Sequence, residues 1–79
     1  MEKQLWIFTF GSGQKHGGHF VKIYGTFEEA RSEMIAKYGT EWGFQYTEEE
    51  WNDYVKEAED FAVRVWGDKR FALVEKELV

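Results

Sequence analysis

The sequence predicts an α+β domain in which a small antiparallel sheet is covered by two helices, in the order strand, strand, helix, strand, helix, strand. Three observations carry that reading. Two Thr-x-x-Glu boxes, Thr26-Phe-Glu-Glu29 and Thr47-Glu-Glu-Glu50, each open a run whose apolar residues recur at helical spacing. Glycine stands where each of those runs should stop, at Gly39 and Gly67. Two apolar runs, Leu5 to Phe10 and Phe20 to Tyr24, flank a glycine-rich loop over 11–19, as strands flank a connection.

Gln4 to Phe10 carries no charge and is rich in aromatic and β-branched residues, the composition of a central strand covered on both faces. Leu5, Ile7 and Thr9 fall on one side of it and Trp6, Phe8 and Phe10 on the other. The second strand sets Val21 and Ile23 against Phe20, Lys22 and Tyr24. The first helix presents Phe27, Ala30, Met34, Ile35 and Tyr38 as its packing stripe and places Arg31 near the opposite edge, free to meet solvent or a ligand. Trp42, Phe44 and Tyr46 alternate with Gly43 and Gln45 as a short third strand, aromatic on one side.

Tyr46 before the second capping box and Trp51 after it form a hydrophobic staple. The helix then carries Trp51, Tyr54, Val55, Ala58, Ala62 and Val65 on one stripe to about Trp66. Residues 61–66 would also make a strand, which would turn 61–78 into a hairpin around Gly67-Asp68. Residues 71–78 read as the final strand.

A chain of 79 residues makes a single compact domain spanning 1–79, with a thin stability margin. With no cysteine it has neither a disulfide framework nor a cysteine-based zinc site, which suits a reducing compartment. Four Trp, four Tyr and seven Phe exceed what one thin layer can bury, so the expectation is a homo-oligomer or a ligand that covers the surplus. No apolar run is long enough to span a bilayer and no signal pattern opens the chain, so a cytoplasmic protein with no membrane partner is expected.

Charge is distributed unevenly. The first 38 residues hold five Lys/Arg against four Glu and the rest five against eleven Asp/Glu, so the negative charge behind the net of −5 lies beyond residue 38, where the stretch from Glu48 to Asp60 holds seven acidic residues against Lys56. Direct nucleic-acid binding needs clustered cations and is not expected of this chain.

The loop concentrates the candidate chemistry. Gly11, Ser12, Gly13, Gln14, Lys15, His16 and His19 combine backbone freedom with donors, acceptors and one fixed positive charge. They point to an anionic small ligand, with Arg31 as further charge and Trp42 as a stacking surface. The same residues also suit a plain solvent loop. The glycines match neither the dinucleotide fingerprint nor the phosphate-loop pattern. His16 and His19 invite a metal, but no spacing supplies a third ligand, so no metal and no cofactor are expected. Ser12 with either histidine lacks an orienting carboxylate, so no enzyme is expected and no residue is assigned as catalytic. The acidic helix reads either as a solvated face or as a surface that blocks the nucleic-acid site of a host enzyme through Glu49, Asp53 and Glu57.

At Phe10-Gly-Ser-Gly-Gln14, His16, His19-Phe-Val-Lys-Ile23, Gly25-Thr-Phe-Glu-Glu-Ala-Arg31, Tyr38-Gly39 and Trp42-Gly-Phe-Gln-Tyr46, the chain resembles short uncharacterised proteins encoded by phages and prophages of Gram-positive bacteria. The resemblance covers roughly residues 5–51 and stops there. It implies a setting, an infected bacterial host, and a counter-defence role exerted by binding. The resulting expectation is a non-catalytic binder that sequesters a nucleotide-derived immune signal, with a host defence protein as the alternative partner.

Overall fold

The structure, a computed structural model, describes residues 2–11 and 13–78. Its elements are β1 (Gln4–Thr9), β2 (His19–Gly25), α1 (Phe27–Tyr38), β3 (Phe44–Thr47), α2 (Glu48–Trp66), a 3-10 turn over Lys69–Phe71, and β4 (Lys76–Glu77). Fold class and element order are those the sequence predicts.

β1 lies inside the sheet, whose strand order is β3-β1-β2-β4. It pairs antiparallel with β2, setting Trp6 against Ile23 and Phe8 against Val21, and antiparallel with β3, setting Ile7 against Tyr46. The alternation of β1 sorts its side chains onto two cores. Trp6, Phe8 and Phe10 join Val21, Ile23, Ala30 and Met34 under α1, whereas Ile7 joins Phe20 and Trp51 under α2. The helices therefore cover opposite faces, which is why a run with no polar gap serves as the first strand.

Both capping boxes form. The Thr26 hydroxyl accepts from Glu29 N at 3.1 Å while the Glu29 carboxylate accepts from Thr26 N at 2.9 Å, and Thr47 with Glu50 repeats the arrangement at the same distances. Gly39 and Gly67 close the helices at φ of 74° and 77°, a region that a side chain disfavours. The staple also forms, with the Tyr46 and Trp51 rings 6.3 Å apart.

The boxes make stability depend on pH. The backbone N–H of Thr26, and then the charge of Lys3, hold the Glu29 carboxyl below the ordinary glutamate value; the Thr47 N–H does the same for Glu50. A lowered folded pKa means the unfolded chain takes up protons first, so this stabilisation is complete above the ordinary glutamate value and is lost as pH falls from there through the lowered value of the folded state. Thr47→Ala is expected to cost about 1 kcal/mol, seen by circular dichroism as a Tm lower by roughly 4–8 °C. Glu50→Gln should flatten the acid side of the Tm-against-pH curve, and an unchanged curve would remove Glu50 from the account.

Two expectations are corrected, and one alternative is decided in favour of the helix running to Trp66. The sheet is mixed, because β4 runs parallel to β2, setting His19 against Lys76. The final strand is Lys76–Glu77 rather than 71–78. Asp68 caps a 3-10 turn by accepting from Arg70 N at 2.9 Å, and the chain returns along α2 before Lys76 N reaches Gly18 O at 3.0 Å. Residues 61–66 are helical, and Gly67 N caps onto Val63 O at 2.9 Å, so no hairpin forms there.

α2 outruns its support. Its 19 residues extend about 28 Å at helical rise, against about 20 Å for the six residues of β1. Ala62 is buried, but Phe61, Val63, Val65 and Trp66 are exposed.

Candidate functional site

The glycine-rich loop is a chain of turns that satisfies much of its own polarity. Gln14 N donates to Gly11 O at 2.9 Å, Gly17 N to Gln14 O at 3.0 Å and His19 N to His16 O at 3.1 Å. The Gln14 side chain folds back so that its Oε1 accepts from Gly11 N. His16 is half-buried and edge-on to Phe10 and Tyr38, with ring centroids 5.2 and 5.6 Å away. His19 Nδ1 lies 3.3 Å from His16 O. Lys15 and Gly13 face solvent. Ser12 lies outside the described residues. Of the loop's predicted ligand groups, Gln14 is thus engaged in bonding within the loop and His16 packs against Tyr38 at the end of α1.

Arg31 and Trp42 come together elsewhere. The Arg31 guanidinium sits over the Trp42 ring, 5.0 Å from its centroid, and no carboxylate among the described residues lies within ion-pair distance of it. Trp42 is fixed beneath it: its Nε1 donates to Gly39 O at 3.1 Å, and its ring meets Phe8 edge-on at 5.1 Å. A guanidinium held over an aromatic face has surrendered part of its side-chain entropy and keeps N–H groups for an anion. Both residues line a groove of about 370 Å³ between α1 and the segment leading into β3.

The remaining walls of this groove include Phe27, Ile35, Phe44 and Gln45, none of which the sequence reading assigned to a site. Gln45 Nε2 donates to Phe27 O at 3.2 Å, while its Oε1 is enclosed with no hydrogen-bond partner among the described residues. One signal was present in the sequence. Phe27, Arg31 and Ile35 are successive helical turns apart and so share a flank of α1. That flank, rather than the edge opposite the packing stripe, is where Arg31 lies, and it leaves Phe27 and Ile35 partly exposed. Trp42 also departs from the strand pattern: it packs against the α1-side core, whereas Phe44 and Tyr46 pair with Thr9 and Ile7 on the α2 side.

Glu49, Asp53 and Glu57 are all exposed on α2, away from this groove. At the other end of that helix Trp66, Phe71 and Leu73 line an apolar cleft of about 540 Å³, with Phe71 60% and Leu73 80% exposed. Among the described residues no group of three or more metal-ligating side chains is gathered, and no helix is long and apolar enough to cross a membrane. Compared with protein families, curated proteins and solved structures, the chain has no match in any of the three.

Proposed function

We propose that this protein is a non-catalytic binder of a nucleotide-like anion, held in the groove of Arg31 and Trp42 rather than on the glycine-rich loop. The observation that carries the reading is the unpaired guanidinium over a fixed indole. An anionic group engages the N–H groups of Arg31, and a planar base lies along the aromatic wall that Phe27 and Phe44 provide. Lys15 and His19 act only as outlying charge and donor. In the phage setting that the resemblance implies, the role is sequestration of a nucleotide-derived immune signal, which needs affinity and no turnover.

The binder is a homodimer through the overhanging end of α2. Phe61, Val65, Trp66, Phe71 and Leu73 are covered by the same residues of a second copy. Charge suits that occupant: antiparallel pairing of the two helix ends sets Arg64 and Lys69 of one copy near Glu57, Glu59 and Asp60 of the other and keeps the acidic first turns far apart.

A thermal-shift screen against ATP, cyclic nucleotides and cyclic ADP-ribose isomers tests the groove. A ligand at one hundred times its Kd stabilises the native state by about 2.7 kcal/mol, a Tm rise of roughly 10–20 °C for a domain of this size. Arg31→Ala should abolish the rise, while Glu49→Lys with Asp53→Lys and Glu57→Lys should preserve it. No rise with any compound, or a rise unaffected by Arg31→Ala, rejects the groove.

A further inference from the structure

The acidic face of the sheet holds a second cleft, of about 200 Å³, lined by Thr9, Phe44, Tyr46, Trp51, Tyr54 and Glu75. Four parts of the chain build it, with Thr9 at the end of β1 the first. Phe44 and Tyr46 project to one side of β3 by the two-residue period of a strand, Trp51 and Tyr54 are three apart at the start of α2, and Glu75 immediately precedes β4. The four rings follow one another with centroids 5.9, 6.3 and 5.3 Å apart and tilts of 37°, 40° and 33°. They form a curved aromatic wall.

Glu75 supplies what the wall lacks. Its Oε2 is enclosed and has no hydrogen-bond partner among the described residues. An unpartnered carboxylate oxygen beside apolar rings costs free energy that a cation would recover. Tyr54, whose hydroxyl donates to Leu73 O at 3.4 Å, has its phenol pushed above the ordinary tyrosine value by burial, then by the negative charge of Glu75 and by the hydroxyl's interaction with that carboxylate, so Tyr54 and Glu75 face each other across the cleft while Oε2 keeps no partner of its own. The first turn of α2 adds the exposed Glu48, Glu49 and Glu50, so the field around the mouth attracts positive charge.

We infer that this cleft binds the quaternary ammonium head group of a small soluble molecule of the choline class. Aromatic faces attract a cation through their negative quadrupole without needing a hydrogen bond from it. A primary ammonium brings three N–H donors that must each exchange water for an acceptor, and the ring faces that make up the wall supply none. A trimethylammonium group has no donors to satisfy, spreads its charge over methyl groups that fit the ring faces, and places that charge beside Glu75. The site is separate from the Arg31 groove except at Phe44, which lines both.

Titration of 15N-labelled protein with choline chloride tests the assignment, with sodium chloride as the ionic-strength control and 3,3-dimethylbutan-1-ol as the uncharged isostere. Choline is expected to shift the Trp51 indole N–H resonance saturably, and the alcohol to shift it far less. Glu75→Gln, which keeps the side-chain size, should weaken choline binding about tenfold or more, while Glu77→Gln, at an exposed site, should leave it unchanged. No saturable shift, equal affinity for the alcohol, or undiminished binding by a folded Glu75→Gln protein would each overturn the inference. None of these outcomes depends on Arg31.

Discussion

Phe8→Ala should remove a large part of the protein's stability. Phe8 is fully buried at the centre of the α1-side core, opposite Val21 on β2 and Gln45 on β3, with the Trp42 ring edge-on at 5.1 Å. Removing a buried phenylalanine ring costs about 3–5 kcal/mol, the transfer term plus the cavity. A domain of this length has only about 4–12 kcal/mol of stability to lose. Neither face can collapse into the hole, because Ile7 and Thr9, the neighbours of Phe8 on β1, are held in the α2-side layer. Circular dichroism melts should show a Tm lower by at least about 15 °C. Phe44→Ala, which removes a ring that is 65% exposed, should barely move it. A fall of only a few degrees for Phe8→Ala would mean that the α1-side core is not packed as described.

Phe71→Asp combined with Leu73→Asp is expected to convert a dimer to a monomer without unfolding it. Both side chains are exposed in the single chain, so their replacement removes little that stabilises the protomer. Across a two-fold axis each is buried twice, and burial of one such side chain is worth about 1.5–3 kcal/mol. The pair of substitutions should therefore raise the dimer dissociation constant by about a hundredfold or more. Sedimentation velocity over a concentration series reads this directly. A wild-type chain that sediments as a monomer throughout would reject the dimer, and so would a doubly substituted chain that associates as the wild type does.

The local signals were fully legible. Thr26, Glu29, Thr47 and Glu50 act within one helical turn of one another, so residue type and spacing suffice to place both helix starts, and Gly39 and Gly67 likewise place both stops. The uncharged run of β1 announced burial on both faces, and the structure divides it between two cores as its alternation requires. The candidate site was legible only in part. Arg31 and Trp42 were each named for their chemistry, but their meeting depends on how α1 lies across the sheet relative to the 40–45 segment. His16 carries the same kind of chemistry, and only the fold sets its ring edge-on to Tyr38 at the end of α1.

The sequence by itself determined the fold class, the start of both helices and the two-faced first strand, because each follows from interactions between residues close along the chain or from one periodicity, whereas residues 61–66 suited helix and strand alike until the fold made them the end of α2. Only the tertiary structure decided that β4 is short and parallel, that α2 overhangs the sheet, and that Glu75 stands beside Phe44, Tyr46, Trp51 and Tyr54. Those outcomes depend on contacts between residues 20 to 65 positions apart, such as Leu78 N donating to Phe20 O at 2.8 Å. Each such pairing is chosen by the packing of the whole molecule, since closing a long loop is repaid only when every layer that depends on it assembles together.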